Sequence, residues 1–136
     1  MVEHILVPVD SSASAWRALD YVLDEHPEKQ YTVLHVVDLI AGGRDTAGRQ
    51  DARAHAEKIV KQATDVCLES GLDEDSFDVI TKDGKPAATI VRVANERNVD
   101  QIVMGSRGLS DVDKLLLGSV AETVVRRASC PVNVIR

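Results

Sequence analysis

Gln101-Ile102-Val103-Met104-Gly105-Ser106-Arg107-Gly108, followed after nine residues by Gly118-Ser119-Val120-Ala121-Glu122, is the stretch on which the fold turns. Its apolar start reads as a buried strand and the sequence from Ser119 reads as a helix, so two Gly-containing turns flank one strand-to-helix crossing. Glycine lets backbone approach an anion closely and takes up positive φ without a Cβ penalty. Ser119 can serve as N-cap, with Glu122 three residues on completing a Ser-x-x-Glu capping box. A helix start with free N–H groups and a positive dipole end attracts phosphate oxygens. The Ser119 hydroxyl could cap the helix or donate to a phosphate, and the sequence leaves both roles open.

Neither common nucleotide fingerprint is present. No Lys follows Gly118, as a P-loop requires, and Arg107 stands where Gly-x-Gly-x-x-Gly needs its second glycine. Two ordinary turns and a capped helix would account for the same residues. Length bounds the rest: 136 residues are most simply one domain, 1–136, large enough to bury roughly two-thirds of its unfolded surface. Aromatics are 3% against 44% hydrophobic residues, so the core must be built from Val, Ile, Leu and Ala, which suits helices stacked on both faces of a parallel sheet. Sixteen basic against 22 acidic residues give a net charge of −6, which argues against a nucleic-acid surface. Cys67 and Cys130 form no disulfide framework or metal spacing, and reduced, buried thiols are expected. With no apolar run near the roughly 18 residues of a membrane span and no basic-then-apolar leader, a cytoplasmic protein is expected.

Strand and helix patterns alternate along the chain. His4 to Val9 is a short apolar run that should finish close to Pro8, which has no N–H for a ladder. Asp10 follows, at the carboxyl end where ligands bind in open α/β sheets, and a helix N-cap is its alternative role. The next helix carries Ala15, Leu19 and Val22 on one face, with Trp16, Arg17 and Asp20 on the more exposed side. Tyr31 to Val37 is a second buried strand containing His35, read as a satisfied core histidine. The segment 41–48 is Gly-rich, a flap beside a site or a plain connector. A long helix from Arg49 shows Ala52, Ala56, Ile59, Ala63 and Val66 at helical spacing and closes at Gly71, with His55 and Cys67 carried as passengers. Ser76 to Thr81 reads as an edge strand. Pro86 opens a helix with Ala87, Ile90 and Ala94 inward. After the organising loop, a helix from Ser119 to Arg127 and a strand from Val132 to Ile135 complete the chain. Five strands in strict alternation with helices predict an α/β doubly wound parallel sheet with right-handed crossovers.

Gly-x-x-Gly, nine residues, then Gly-Ser resembles the ATP-binding signature of the universal stress protein family. Ile5-Leu6-Val7-Pro8-Val9-Asp10, His35-Val36-Val37-Asp38 and Ala128 to Val134 resemble the family's opening, second and closing strands, so the likeness spans the chain. It implies a Rossmann-like sheet ordered 3-2-1-4-5, with strands 1 and 4 adjacent at the switch point. It also implies ATP, AMP or ADP as ligand, with Mg2+ or Mn2+ as the accompanying ion. Carried over by position, Pro8 and Asp10 border the adenosine and the Val36 backbone meets the adenine edge. Met104, Gly105, Arg107 and Gly108 lie along ribose and phosphates, and Gly118, Ser119 and Val120 meet the outer phosphates. Ala121 departs from members that carry a hydroxyl there.

The function expected is a nucleotide-binding stress-response regulator whose occupancy is read by an unidentified protein partner. The alternative is a slow ATP hydrolase or nucleotidyl transferase, for which Asp10, Asp111 and Asp113 are the nearby carboxylates. A structural or flavin-binding module is a third reading. A final strand at the sheet edge would leave unpaired backbone groups beside Val132, Val134 and Ile135, so a homodimer through that strand is expected.

Overall fold

The computed structural model describes residues 3–38, 46–106 and 117–136. The strands are β1 (His4–Pro8), β2 (Gln30–Val37), β3 (Phe77–Asp83), β4 (Gln101–Gly105) and β5 (Val132–Ile135). The helices are α1 (Ala13–Glu25), α2 (Thr46–Glu69), α3 (Pro86–Glu96) and α4 (Ser119–Arg127), with a short 3-10 turn at Glu74–Ser76. All four strand pairings are parallel, and the sheet runs β3-β2-β1-β4-β5 as the family resemblance implied.

Two apolar layers hold the sheet. On one face, Ala15, Leu19 and Val22 of α1 and Ile59, Ala63 and Cys67 of α2 pack against Ile5, Val7 and Val33. On the other, Ile90, Val93 and Ala94 of α3 and Ala121 and Val124 of α4 pack against Leu6, Leu34 and Ile102. Ile5, Leu6 and Val7 are wholly inaccessible on successive positions because β1 is central and covered on both sides. Each such side chain contributes roughly 1.5–3 kcal/mol. Cys67 is therefore a core residue rather than a passenger. Among the described residues no helix is long and apolar enough to cross a membrane.

Several boundaries differ from expectation. Helix α2 begins at Thr46 rather than Arg49, so it takes in Gly48, a glycine that costs a helix interior only about 1 kcal/mol. Residues 41–45 of the Gly-rich segment lie outside the described residues. Gly71 ends α2 at φ +96, with the Leu72 N–H reaching back to the Cys67 carbonyl at 3.3 Å. Strand β3 lies at one edge, as its alternating pattern predicted, and β5 at the other.

Gly105 closes β4 directly under the first turn of α1. A Cβ there would lie 2.7 Å from both the Ala15 nitrogen and the Ser14 carbonyl carbon, and would also strike the Ser14 hydroxyl. Its hydrogen side chain is thus required by helix-on-strand packing. Gly105→Ala should lower stability by about 1–3 kcal/mol, since backbone rather than a flexible side chain must yield. Calorimetry would show this as a melting temperature several degrees lower; an unchanged midpoint would contradict the close approach.

At the opposite end of the sheet, Asp100 accepts the Glu3 and His4 N–H groups, both at 2.9 Å, and His4 Nε2 meets the Thr32 hydroxyl at 2.8 Å. Burial, and after it the Arg97 guanidinium, holds the His4 imidazole below its ordinary 6.5, with Asp100 opposing. The unfolded chain then binds a proton that the folded chain refuses, so this stability is intact above 6.5 and is lost as pH falls toward the lower folded value. The melting temperature should fall on acidification through that range and His4→Gln should flatten the slope; an identical slope in the variant would remove His4 from the account.

Candidate functional site

Along a strand, backbone donors and acceptors alternate between the two neighbours. The Val9 N–H donates to the Leu34 carbonyl at 2.8 Å, so odd residues of β1 face β2 and even ones face β4. Pairing of β1 with β4 stops at Leu6↔Ile102. The next donor toward β4 would be Pro8, which has no N–H, so Pro8 ends that ladder for a definite chemical reason. Beyond it Met104 and Gly105 part from β1, and a crevice opens where the strand order reverses.

The other side of β1 opens by a different means. Pairing of β1 with β2 runs to Pro8↔Leu34 and closes with the Val9 N–H to Leu34 bond. In a continuing ladder the Val36 N–H would next take the Val9 carbonyl. That carbonyl instead accepts a bond of 2.9 Å from His35 Nδ1, which fixes the proton on Nδ1 because a carbonyl only accepts. Val37 bonds toward β3, its carbonyl taking the Gly84 N–H at 3.0 Å, so by alternation the Val36 N–H and C=O face the vacated β1 side. Among the described residues nothing bonds them.

His35 is buried, and burial holds its imidazole below the ordinary value; the Val9 carbonyl and the Asp10 carboxylate pull the other way, and His55 adds to the lowering. The His55 ring on α2 stands edge-on to it, centroids 6.0 Å apart. His55 is thus more than a passenger.

The turn after β1 is organised by its own side chains. Asp10 Oδ1 accepts the Ser12 N–H at 2.8 Å, and Ser12, not Asp10, is the N-cap of α1, its hydroxyl accepting the Ala15 N–H at 3.3 Å. Helix α4 starts otherwise. Its N-cap is Gly118, in extended conformation, and Ser119 is the first helical residue. The capping box expected of Ser119 and Glu122 is therefore not formed. The Gly118 carbonyl accepts the Glu122 N–H at 2.9 Å, and the Glu122 carboxylate turns to Arg126 at 2.7 Å. With no side chain bonded at its cap, the first turn of α4 has N–H groups that no acceptor among the described residues takes. Ser106 anchors this start: its carbonyl accepts the Gly118 N–H at 2.6 Å, and its own N–H donates to the Ile135 carbonyl of β5 at 2.7 Å.

The ends of β1 and β4, His35 and Val36 of β2, and the start of α4 meet in one cavity of about 150 Å³. Of the site residues expected from sequence, Pro8, Asp10, Val36, Met104, Gly105, Gly118, Ser119 and Val120 line it. Arg107 and Gly108, with Asp111 and Asp113, lie outside the described residues. Leu34, Pro86, Ile90 and Met104 supply apolar walls. Sequence reasoning missed His35 as a site residue, and the α3 wall of Pro86 and Ile90. The signal for His35 was available in the register, since it lies one residue past the partner of the strand-ending proline. Among the described residues no cluster of three His, Cys, Asp or Glu side chains could hold a metal ion.

The sequence profile of the universal stress protein family matches residues 1–136. The universal stress protein YxiE of Bacillus subtilis is 29% identical, with the whole of both chains covered. The solved structure of MJ0577 from Methanocaldococcus jannaschii, also 29% identical, superposes with a TM-score of 0.85 over 99% of this chain and 96% of its own. The fold is shared as well with a universal stress protein solved in complex with cAMP (24% identical, TM-score 0.75, 99% and 97% covered) and with one from Arabidopsis thaliana with AMP bound (22%, 0.71, 98% and 90%). Matched along its whole length by the profile and by a relative of equal extent, the chain belongs to the universal stress protein family.

Proposed function

We propose that this chain is a regulatory protein that binds an adenine nucleotide in the crevice between β1 and β4. The observation that carries the reading is that two sets of backbone groups unbonded among the described residues, the Val36 pair and the first turn of α4, face one apolar-walled cavity. Adenine presents an acceptor at N1 and a donor at its N6 amino group, the complement of the Val36 N–H and C=O. Leu34, Pro86, Ile90 and Met104 would sandwich its faces. At about 150 Å³ the described walls are smaller than the roughly 300 Å³ needed to bury a whole drug-sized ligand, so they suit base and sugar. The phosphates would then extend over Gly118, Ser119 and Val120, where the dipole and free N–H groups of α4 favour negative charge. Asp10 sits where a ribose hydroxyl would donate to its second carboxylate oxygen, the first being held by Ser12. The reading also draws on the cAMP and AMP complexes formed by two proteins of the same fold. An accompanying Mg2+ or Mn2+ would be held mainly by phosphate oxygens.

Occupancy would be read through β5. Ser106 bonds both Gly118 and Ile135, so the phosphate end of the site and the last strand share one residue. Strand β5 is an edge, with Val132 and its neighbours only half-buried, and pairing with its twofold mate would satisfy the free backbone groups.

ATP should bind the purified protein, and Gly118→Val should abolish binding while the circular dichroism spectrum is kept. The Gly118 dihedrals, φ −63 and ψ 154, suit any L residue, whereas the added methyl groups would occupy phosphate space. A folded variant with wild-type ATP affinity by calorimetry would contradict the phosphate placement. Light scattering should give about twice the 14.8 kDa of one chain. A mass of one chain at micromolar concentration would exclude the β5 dimer.

A further inference from the structure

We propose that His35 is a positioning residue that keeps the Val36 rung of the sheet open for the base. The proposal rests on the adenine-nucleotide reading of the cavity only for the identity of the ligand; its structural half stands on the hydrogen bonds alone.

The chain continues beyond Pro8 at Val9, whose N–H is still bonded to Leu34 at 2.8 Å, so Val9 remains alongside β2. Its carbonyl is the acceptor that a parallel ladder would assign to the Val36 N–H. The half-buried Val36 N–H and the buried Val9 C=O, at adjacent rungs, would pair unless another partner intervenes, because a buried carbonyl left unmet is costly. His35 intervenes: Nδ1 donates to the Val9 carbonyl at 2.9 Å and satisfies it from the side chain. The Val36 N–H is thereby released into the cavity, with its C=O beside it. The imidazole is held by burial and by its bond to the Val9 carbonyl, with the His55 ring edge-on to it.

Two devices thus free the backbone around the end of β1. Pro8 cannot donate toward β4, and His35 occupies the acceptor toward β2. The consequence is base selectivity. A purine with an acceptor at position 1 and a donor at position 6 uses both Val36 groups, whereas hypoxanthine or guanine, with the reversed pattern, meets them donor to donor and acceptor to acceptor. A closed rung would withdraw the donor and level this difference.

The test combines amide hydrogen exchange with nucleotide affinity on three proteins: wild type, His35→Phe, which fills the space without a donor, and His35→Asn, whose side-chain amide can reproduce the Nδ1 bond. In the nucleotide-free wild type the Val36 amide should exchange much faster than that of Leu34. In His35→Phe it should become protected, ATP affinity should fall roughly tenfold, and the preference for ATP over ITP should shrink. His35→Asn should restore all three. A Val36 amide in the free wild type as protected as that of Leu34 would overturn the proposal without recourse to any variant. So would ATP binding by a folded His35→Phe protein with unchanged affinity and selectivity. If the wild type binds no adenine nucleotide while Val36 exchange follows the expected pattern, the positioning role stands and the nucleotide reading fails.

Discussion

The absent amide hydrogen of Pro8 is the constraint from which the site follows. Every other residue of β1 has an N–H to donate to the neighbour it faces, and a continuous ladder would zip β1 to β4 as far as Gly105. Because the donor due toward β4 is missing, pairing ends at Leu6↔Ile102 and the two strands part at the point where successive crossovers pass to opposite sides of the sheet. The cost of one lost bond, about 1 kcal/mol, is small beside the burial of Ile5, Leu6 and Val7 that fixes β1 in place. A strong core tolerates a deliberately incomplete edge.

Around that opening the described residues offer backbone groups and one carboxylate, Asp10. No described basic side chain lines the cavity. What the cavity offers is the Val36 pair and the amides at the start of α4, groups whose positions are set by the sheet and by Ser106. Preorganised amides cost little to order on binding. The same Ser106 ties the site to the sheet edge, since one residue bonds both the start of α4 and the end of β5.

Much of this was legible in the sequence, and the failures are instructive. Alternating strand and helix patterns sufficed for the α/β class, and Pro8 marked the end of its strand. The order 3-2-1-4-5 came from family likeness, because periodicity reports faces and not neighbours. Gly105 was expected along ribose and phosphates and lines the cavity; hidden from any local pattern was a further demand on it, the backbone of α1 at 2.7 Å, a contact between segments 90 residues apart. Ser119 looked like an N-cap by the Ser-x-x-Glu rule, yet Gly118, pinned by Ser106, took the cap and displaced the register by one residue. His35 was taken for a core histidine, which it is by burial; its second role depends on hydrogen-bond parity along β2, visible only once the strands are registered.

A nucleotide base seated on the open rung of β2 would be reported by the chemical shift of the Val36 amide. Titration of the isotope-labelled protein with ATP should move that resonance strongly downfield and slow its exchange, while tripolyphosphate, which lacks a base, should leave it in place and perturb Ser119 and Val120 instead. ATP binding that shifts the α4 amides but leaves the Val36 amide unmoved and freely exchanging would contradict the account.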